Sequence, residues 1–171
     1  MLEKIKKRSL KHFVIINLRE NSIIMVLKIS RGIWFFSVLG VLDALMVVYA
    51  ALPLEVAVQQ TDTGFITLSK EAVFYIALAL SAIINSLVFV IGAFFPNEKP
   101  FRTWFNGLII TLNTFTIIAL FTLNAVNTTE KFDFSRITFL IYGSLILVIL
   151  WCAIWPLWSL YRKFFPKDLV E

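Results

Sequence analysis

Four long apolar stretches dominate this chain, and they constrain its fold more than any other feature. A helix rises about 1.5 Å per residue, so about 20 residues cross the roughly 30 Å hydrocarbon layer of a bilayer. Each stretch reaches that length, and the sequence predicts transmembrane helices over residues 33–52, 72–95, 104–126 and 137–160. Hydrophobic residues make up 59% of the chain, above the roughly 45–50% typical of soluble domains. We therefore predict an all-α membrane protein whose four helices form an up-down bundle.

The basic residues are concentrated on one side of the predicted spans. Eight of the sixteen lysines and arginines precede residue 33, two lie between the second and third spans, and three follow the fourth. Lysine and arginine collect in short cytoplasmic segments of membrane proteins. This distribution predicts that both termini are cytoplasmic. It also accounts for the net charge of +5 without nucleic acid as a partner.

The segment of residues 1–32 precedes the first predicted span and allows more than one interpretation. Its basic run and two apolar patches fit an interfacial amphipathic helix or a poorly ordered cytoplasmic tail. A further hypothesis is that Met25 is the true start of the protein, which intact-mass measurement would test. The spans then form one domain over residues 33–160, and residues 161–171 form a short cytoplasmic tail.

The connection between the first two spans is predicted to be a small β-hairpin on the outer side. Residues 55–60 and 65–68 partly alternate between apolar and polar side chains and flank a polar turn. Gly64 suits a turn position with positive φ. Ser69 is predicted to be the N-cap of the second span, with Glu71 complementing the helix dipole.

Polar side chains inside the spans predict a buried cluster. Asp43 is an acidic residue about ten positions into the first span, and such residues usually face the interior of a helix bundle and pair there. Asn85, Asn106 and Asn113 lie in the second and third spans. We expect these four residues to form interhelical hydrogen bonds that fix the packing. The alternative is that Asp43 is a proton- or cation-responsive group.

Small and aromatic residues predict two further sets of positions. Small side chains let helices approach closely, and the predicted helix-packing residues are Gly40, Ala44, Ala77, Ser81, Gly143 and Ser144. Aromatic side chains near span ends are typical of membrane–water interfaces, and the predicted interfacial residues are Trp34, Trp104, Trp151, Trp155, Trp158 and Tyr161. Both sets indicate helix packing and membrane anchoring, although the tryptophans could also form a surface for a partner.

One part of the chain is similar to a known family. The connection after the first span reads Leu52-Pro53, then Gly64, then Ser69-Lys70. Over residues 43–85 this pattern resembles the small bacterial integral-membrane domain of unknown function found in SdpI-type immunity and signalling proteins. The resemblance implies a protein of the bacterial cytoplasmic (inner) membrane with a structured outer loop.

Patterns typical of catalysis do not occur in the sequence. It contains no phosphate-binding glycine loop, no dinucleotide fingerprint and no metal-binding spacing of histidine and cysteine. Neither an enzyme nor a cofactor is predicted. We expect an accessory or scaffolding subunit that contacts the bilayer and either another membrane protein or itself. The alternative is a small transporter, channel or immunity/sensor protein that uses Asp43.

Overall fold

Four helices and one β-hairpin make up the fold. A computed structural model describes the backbone of residues 2–61, 64–128 and 134–164, and the side chains of residues 21–59, 64–128 and 139–164. The elements are α1 (Leu2–Ala51), β1 (Glu55–Thr61), β2 (Gly64–Ser69), α2 (Lys70–Phe94), α3 (Lys99–Asn127) and α4 (Phe134–Phe164). All four helices contain a segment long and apolar enough to cross a membrane. The prediction of four helices long and apolar enough to cross a membrane is confirmed.

Helix α1 is longer than the predicted first span. It runs without a break through 50 residues, about 75 Å at 1.5 Å per residue. Among the described side chains, its apolar segment covers Asn21–Ala51, and the helix continues through residue 32. A helix of this length exceeds the roughly 30 Å hydrocarbon layer by more than a factor of two. The side chains of the basic run at residues 4–11 lie outside the described residues.

The hairpin between α1 and α2 is confirmed. Strands β1 and β2 pair antiparallel, with an irregularity between Ala57 and Gln59. Gly64 has φ +143°, a region that side chains with a Cβ rarely adopt. Ser69 caps α2, because its hydroxyl accepts a hydrogen bond of 3.2 Å from the Ala72 amide. The turn residues 62 and 63 lie outside the described part of the chain.

The hydrophobic core lies at the hairpin end of the helices. It joins one face of α1 to α2, α3 and the first strand, and Val56 of β1 is fully buried in it. The core residues are Val41, Ala44, Leu45, Val48, Leu52, Val56, Val73 and Leu120. Helix α3 contacts each of the other helices, whereas α4, in the described part of the chain, contacts α3 alone. The most extensive contact between helices joins α1 and α3, which the sequence did not predict.

Helices α1 and α3 meet through a shared seven-residue repeat. Ser30 contacts Asn106, and Ser37 contacts Asn113. Because both numbers rise together, the two helices run in the same direction. A seven-residue spacing keeps side chains on one face of each helix over two turns. The polar contacts therefore set the register of the α1–α3 interface.

Candidate functional site

Two asparagines form a reciprocal pair between α2 and α3. The Asn85 Nδ2 donates to Asn113 Oδ1 at 3.0 Å, and the Asn113 Nδ2 donates to Asn85 Oδ1 at 2.9 Å. Both side chains are buried, with Asn113 only 2% exposed. A primary amide has two donor hydrogens and one acceptor oxygen. The pair therefore uses one of the two donor hydrogens of each amide. The predicted contact between these two residues is present.

Helix α1 completes the hydrogen bonds of this pair. The second donor of Asn113 bonds Ser37 Oγ at 2.8 Å, and the Asn85 oxygen also accepts from Trp34 Nε1 at 2.9 Å. The second donor of Asn85 bonds the Ser81 carbonyl within α2. All donors of both amides are thus used inside the protein. Groups satisfied in this way hold helices together and fix their register.

The third predicted asparagine belongs to a separate contact. Asn106 Nδ2 donates to Ser30 Oγ at 3.1 Å, and that hydroxyl in turn donates to the Leu27 carbonyl. Asn106 is 4% exposed. It lies on the same face of α3 as Asn113, two turns away, as the spacing predicted. Ser30 and Ser37 were missing from the predicted cluster, although they are seven residues apart, like Asn106 and Asn113 to which they bond.

Asp43 does not belong to the buried cluster, and that part of the prediction is wrong. Its side chain is exposed, while the neighbouring positions Val41 and Ala44 are buried. One residue of an α-helix corresponds to about 100° of rotation, so position 43 points about 200° away from position 41. Among the described residues Asp43 has no hydrogen bond or ion pair. Its position along α1 could be read from the sequence, but the direction in which its side chain points could not.

Helix α1 therefore has two opposite stripes. We call residues Trp34, Ser37, Val41, Ala44 and Val48 the inner stripe, and residues Phe36, Leu39, Asp43, Met46 and Ala50 the outer stripe. Both follow the alternating three- and four-residue spacing that helix–helix contacts use. The inner stripe packs within the protein, whereas every outer-stripe side chain is exposed.

An exposed carboxylate within a span is costly. Asp43 lies eight residues before the end of α1 at Ala51, about 12 Å inside the helix end. Insertion measurements assign about 2.5–3.5 kcal/mol to an aspartate at the centre of a transmembrane helix. Its closest neighbours on the helix surface, Leu39, Met46 and Val47, are exposed and apolar, so none of them offers a hydrogen bond.

Four tryptophans that were predicted as interfacial anchors make contacts inside the protein. Trp34 bonds Asn85, and Trp104 and Trp151 exchange hydrogen bonds, each indole N–H donating to the other residue's carbonyl at 3.1 Å. Trp155 packs on Trp104 with ring centroids 5.7 Å apart. These residues join α3 to α4 and α1 to α2. The remaining pair, Trp158 and Tyr161, is exposed at the end of α4, where Arg162 lies over the Trp158 ring.

The close approach of α3 and α4 depends on a glycine that was not predicted. A Cβ at Gly107 would overlap the Trp151 ring. Gly107 is the only glycine in the predicted third span, and that was the signal available in the sequence. By contrast, Gly143 was predicted to pack, but a Cβ there would meet nothing within 4 Å.

The other predicted small residues divide between contact and non-contact positions. Ala44 is 2% exposed and Ser81 is buried, while Ala77 packs against the core. A Cβ at Gly40 would come within 3.3 Å of Ile117 on α3. Ser144 is half-buried and donates to the Ile141 carbonyl in its own helix. The small residues of α1 and α2 therefore lie at helix contacts. In the part of the chain whose side chains are described, a Cβ at Gly143 would meet no other helix, and Ser144 forms no hydrogen bond with another helix.

Asn127 holds the hairpin on the helices. Its Oδ1 accepts from the Ala57 amide at 2.7 Å, and its Nδ2 donates to the Ala57 carbonyl at 3.1 Å. Ala57 borders the irregularity in the hairpin, where the strand pairing leaves backbone groups that need other partners. The end of α3 thus supplies the hydrogen bonds that the sheet does not, a contact that sequence reasoning missed.

Two apolar grooves open between the helices. One, of about 480 Å³, lies between α2 and α3 below the hairpin. The other, of about 560 Å³, lies between α1, α3 and α4 beside Trp104 and Trp151. Among the described residues no group of three or more His, Cys, Asp or Glu side chains could hold a metal ion.

Comparisons with known proteins give no relative for this chain. No protein-family model matches it, and no curated protein and no solved structure matches it either.

Proposed function

We propose that this chain is a small non-enzymatic accessory or scaffolding subunit of a complex in the bacterial cytoplasmic membrane. Its four helices form an up-down bundle with both termini in the cytoplasm, and the hairpin lies on the outer side. The subunit binds another membrane protein through the outer surfaces of its spans. The asymmetric distribution of lysine and arginine supports this orientation.

The main support for this proposal is that the buried asparagines form hydrogen bonds between helices. Asn85 and Asn113 form hydrogen bonds with each other, and Asn113 also donates to α1. Asn106 donates one hydrogen bond to Ser30 of α1. Polar groups of a transport path must remain available to the substrate or to water. Groups already saturated by helix contacts fit a scaffold better than a pathway.

The alternative is a small transporter, channel or sensor in which Asp43 responds to protons or cations. A transport path through the helices requires Asp43 to face the other polar side chains. Asp43 instead faces outward, on the side of α1 opposite Val41. This orientation favours a contact with another protein over a path through this one.

Site-specific photocrosslinking in native membranes tests the proposal. A photoreactive amino acid at Met46 on the outer stripe is expected to crosslink to a different protein. The matched position Val48 on the inner stripe, which is 1% exposed, is expected to crosslink only within the chain. Mass spectrometry of the products identifies the companion. Crosslinks to lipid alone from Met46, together with a lone monomer after purification in mild detergent, would refute the subunit function.

A further inference from the structure

We propose that the outer stripe of α1 binds a single transmembrane helix of another protein, and that this helix carries a lysine or arginine at the depth of Asp43. The inference rests on the proposed subunit function and adds the docking surface and the chemistry of the partner.

The shape of the outer stripe fits a helix. Phe36, Leu39, Asp43, Met46 and Ala50 recur at spacings of three and four residues and are all exposed. The same spacing on the inner stripe packs α1 against α3. A surface with this periodicity offers a continuous seam for the side chains of a second helix.

The charge of Asp43 determines the partner's chemistry. Its carboxylate has no partner among the described residues, and its surface neighbours are apolar. The nearest basic residue on α1 is Arg31, twelve positions away, or about 18 Å along the helix. Intramembrane carboxylates usually pair with a basic side chain or a hydrogen-bond donor. Because no described basic side chain pairs with Asp43, we assign the complementary cation to another protein.

A second copy of the chain does not supply that cation. Symmetric pairing through the outer stripe sets one Asp43 opposite the other, and like charges repel. The predicted spans contain no lysine, arginine or histidine close to this depth. A different protein with a basic residue within its span satisfies both the charge and the periodicity.

Synthetic helices test this selectivity directly. The probe is a Leu/Ala transmembrane peptide of about 22 residues with one central lysine, and the matched peptide has leucine there. The full chain, labelled with a dye at the exposed Cys152, is reconstituted in phosphatidylcholine vesicles, and energy transfer reports association. We expect the lysine peptide to bind at least tenfold more tightly than the leucine peptide.

Variants of the chain show whether the selectivity depends on Asp43. Asp43→Leu is expected to remove the preference, and Asp43→Lys is expected to transfer it to a peptide with a central glutamate. A composition-matched control exchanges the residues at positions 43 and 80, which moves the carboxylate to the exposed face of α2, and it should also lose the preference. Indole fluorescence verifies that each variant retains the native fold.

Several results would overturn the inference. The peptide assay would do so through equal binding of the lysine and leucine peptides, or through a preference that persists in Asp43→Leu. Self-association of wild-type chains that Asp43→Leu abolishes would also do so, because the occupant would then be a second copy. If a native companion is recovered equally well with wild type and Asp43→Leu, the subunit function stands and only this inference fails. If no companion is recovered, the subunit function fails whatever the peptides show.

Discussion

The two faces of α1 use polar side chains in opposite ways. On the inner stripe, Ser37 and Trp34 bond Asn113 and Asn85, whose donors are then all satisfied. On the outer stripe, Asp43 is exposed among apolar side chains and has no partner in the described residues. The two stripes have the same spacing and nearly the same depth. Polarity within a span therefore does not reveal its purpose until the direction of the side chain is known.

The largest expected effect is on membrane insertion of the first span, and it tests whether Asp43 lies in the hydrocarbon layer. Replacing Asp43 by leucine is expected to favour membrane insertion of the first span by about 3 kcal/mol, because the carboxylate no longer enters hydrocarbon. A glycosylation-based insertion assay on residues 33–52 in a host protein measures this. Met46→Leu on the same stripe is the control and should change insertion little. Equal insertion of wild type and Asp43→Leu would place position 43 near the interface.

The inner face is tested by removing one amide. Asn113→Leu deletes three interhelical hydrogen bonds and leaves Asn85 partly unsatisfied. At about 0.6 kcal/mol for each bond, we expect the free energy of unfolding to fall by about 2 kcal/mol. Unfolding in lipid–detergent micelles measures it. The adjacent Thr114→Val is the control, because Thr114 is exposed and bonds only its own helix. A stability loss equal to that of the control would show that the amide pair is not important for packing.

A third test concerns the packing of α3 against α4 at Gly107. Gly107→Ala introduces a Cβ that overlaps the Trp151 ring, and overpacking of this kind costs about 1–3 kcal/mol. Gly143→Ala is the matched control, because its Cβ meets nothing within 4 Å. It should be neutral or stabilising by up to about 1 kcal/mol through helix propensity. Equilibrium unfolding monitored by indole fluorescence distinguishes the two, and equal effects would argue against the close approach.

The smallest expected effect concerns a buried hydroxyl. Ser81 Oγ is buried and has no hydrogen-bond partner within the described residues, and an unsatisfied polar group is unfavourable. Ser81→Ala should therefore raise the free energy of unfolding slightly, by less than about 1 kcal/mol. Ser86→Ala, whose exposed hydroxyl bonds the Ile83 carbonyl, is the control with little change expected. A clear loss of stability in Ser81→Ala would indicate that the hydroxyl has a partner.

Predictions that depend on residues close together in the sequence were accurate, whereas those that depend on contacts between helices were accurate only in part. The spans, the hairpin with Gly64 and the Ser69 cap depend on local spacing, and all are present in the structure. The Asn85–Asn113 pair was predictable because matching depths on adjacent spans bring long polar side chains together. The same argument failed for Asp43, because depth does not specify rotation about the helix axis.

From composition and spacing one could read the number of helices long and apolar enough to cross a membrane, and roughly where each lies along the chain. Hydrocarbon thickness fixes the length of an apolar helix, and that length can be read from composition. The buried face of α1 could be identified only from the folded protein, because its main contact is with α3 and not with α2. The same holds for the contact of Gly107 with the Trp151 ring and for the open space around Gly143. Interhelical packing sets these choices, and in a membrane it depends on the close fit of specific surfaces rather than on hydrophobicity.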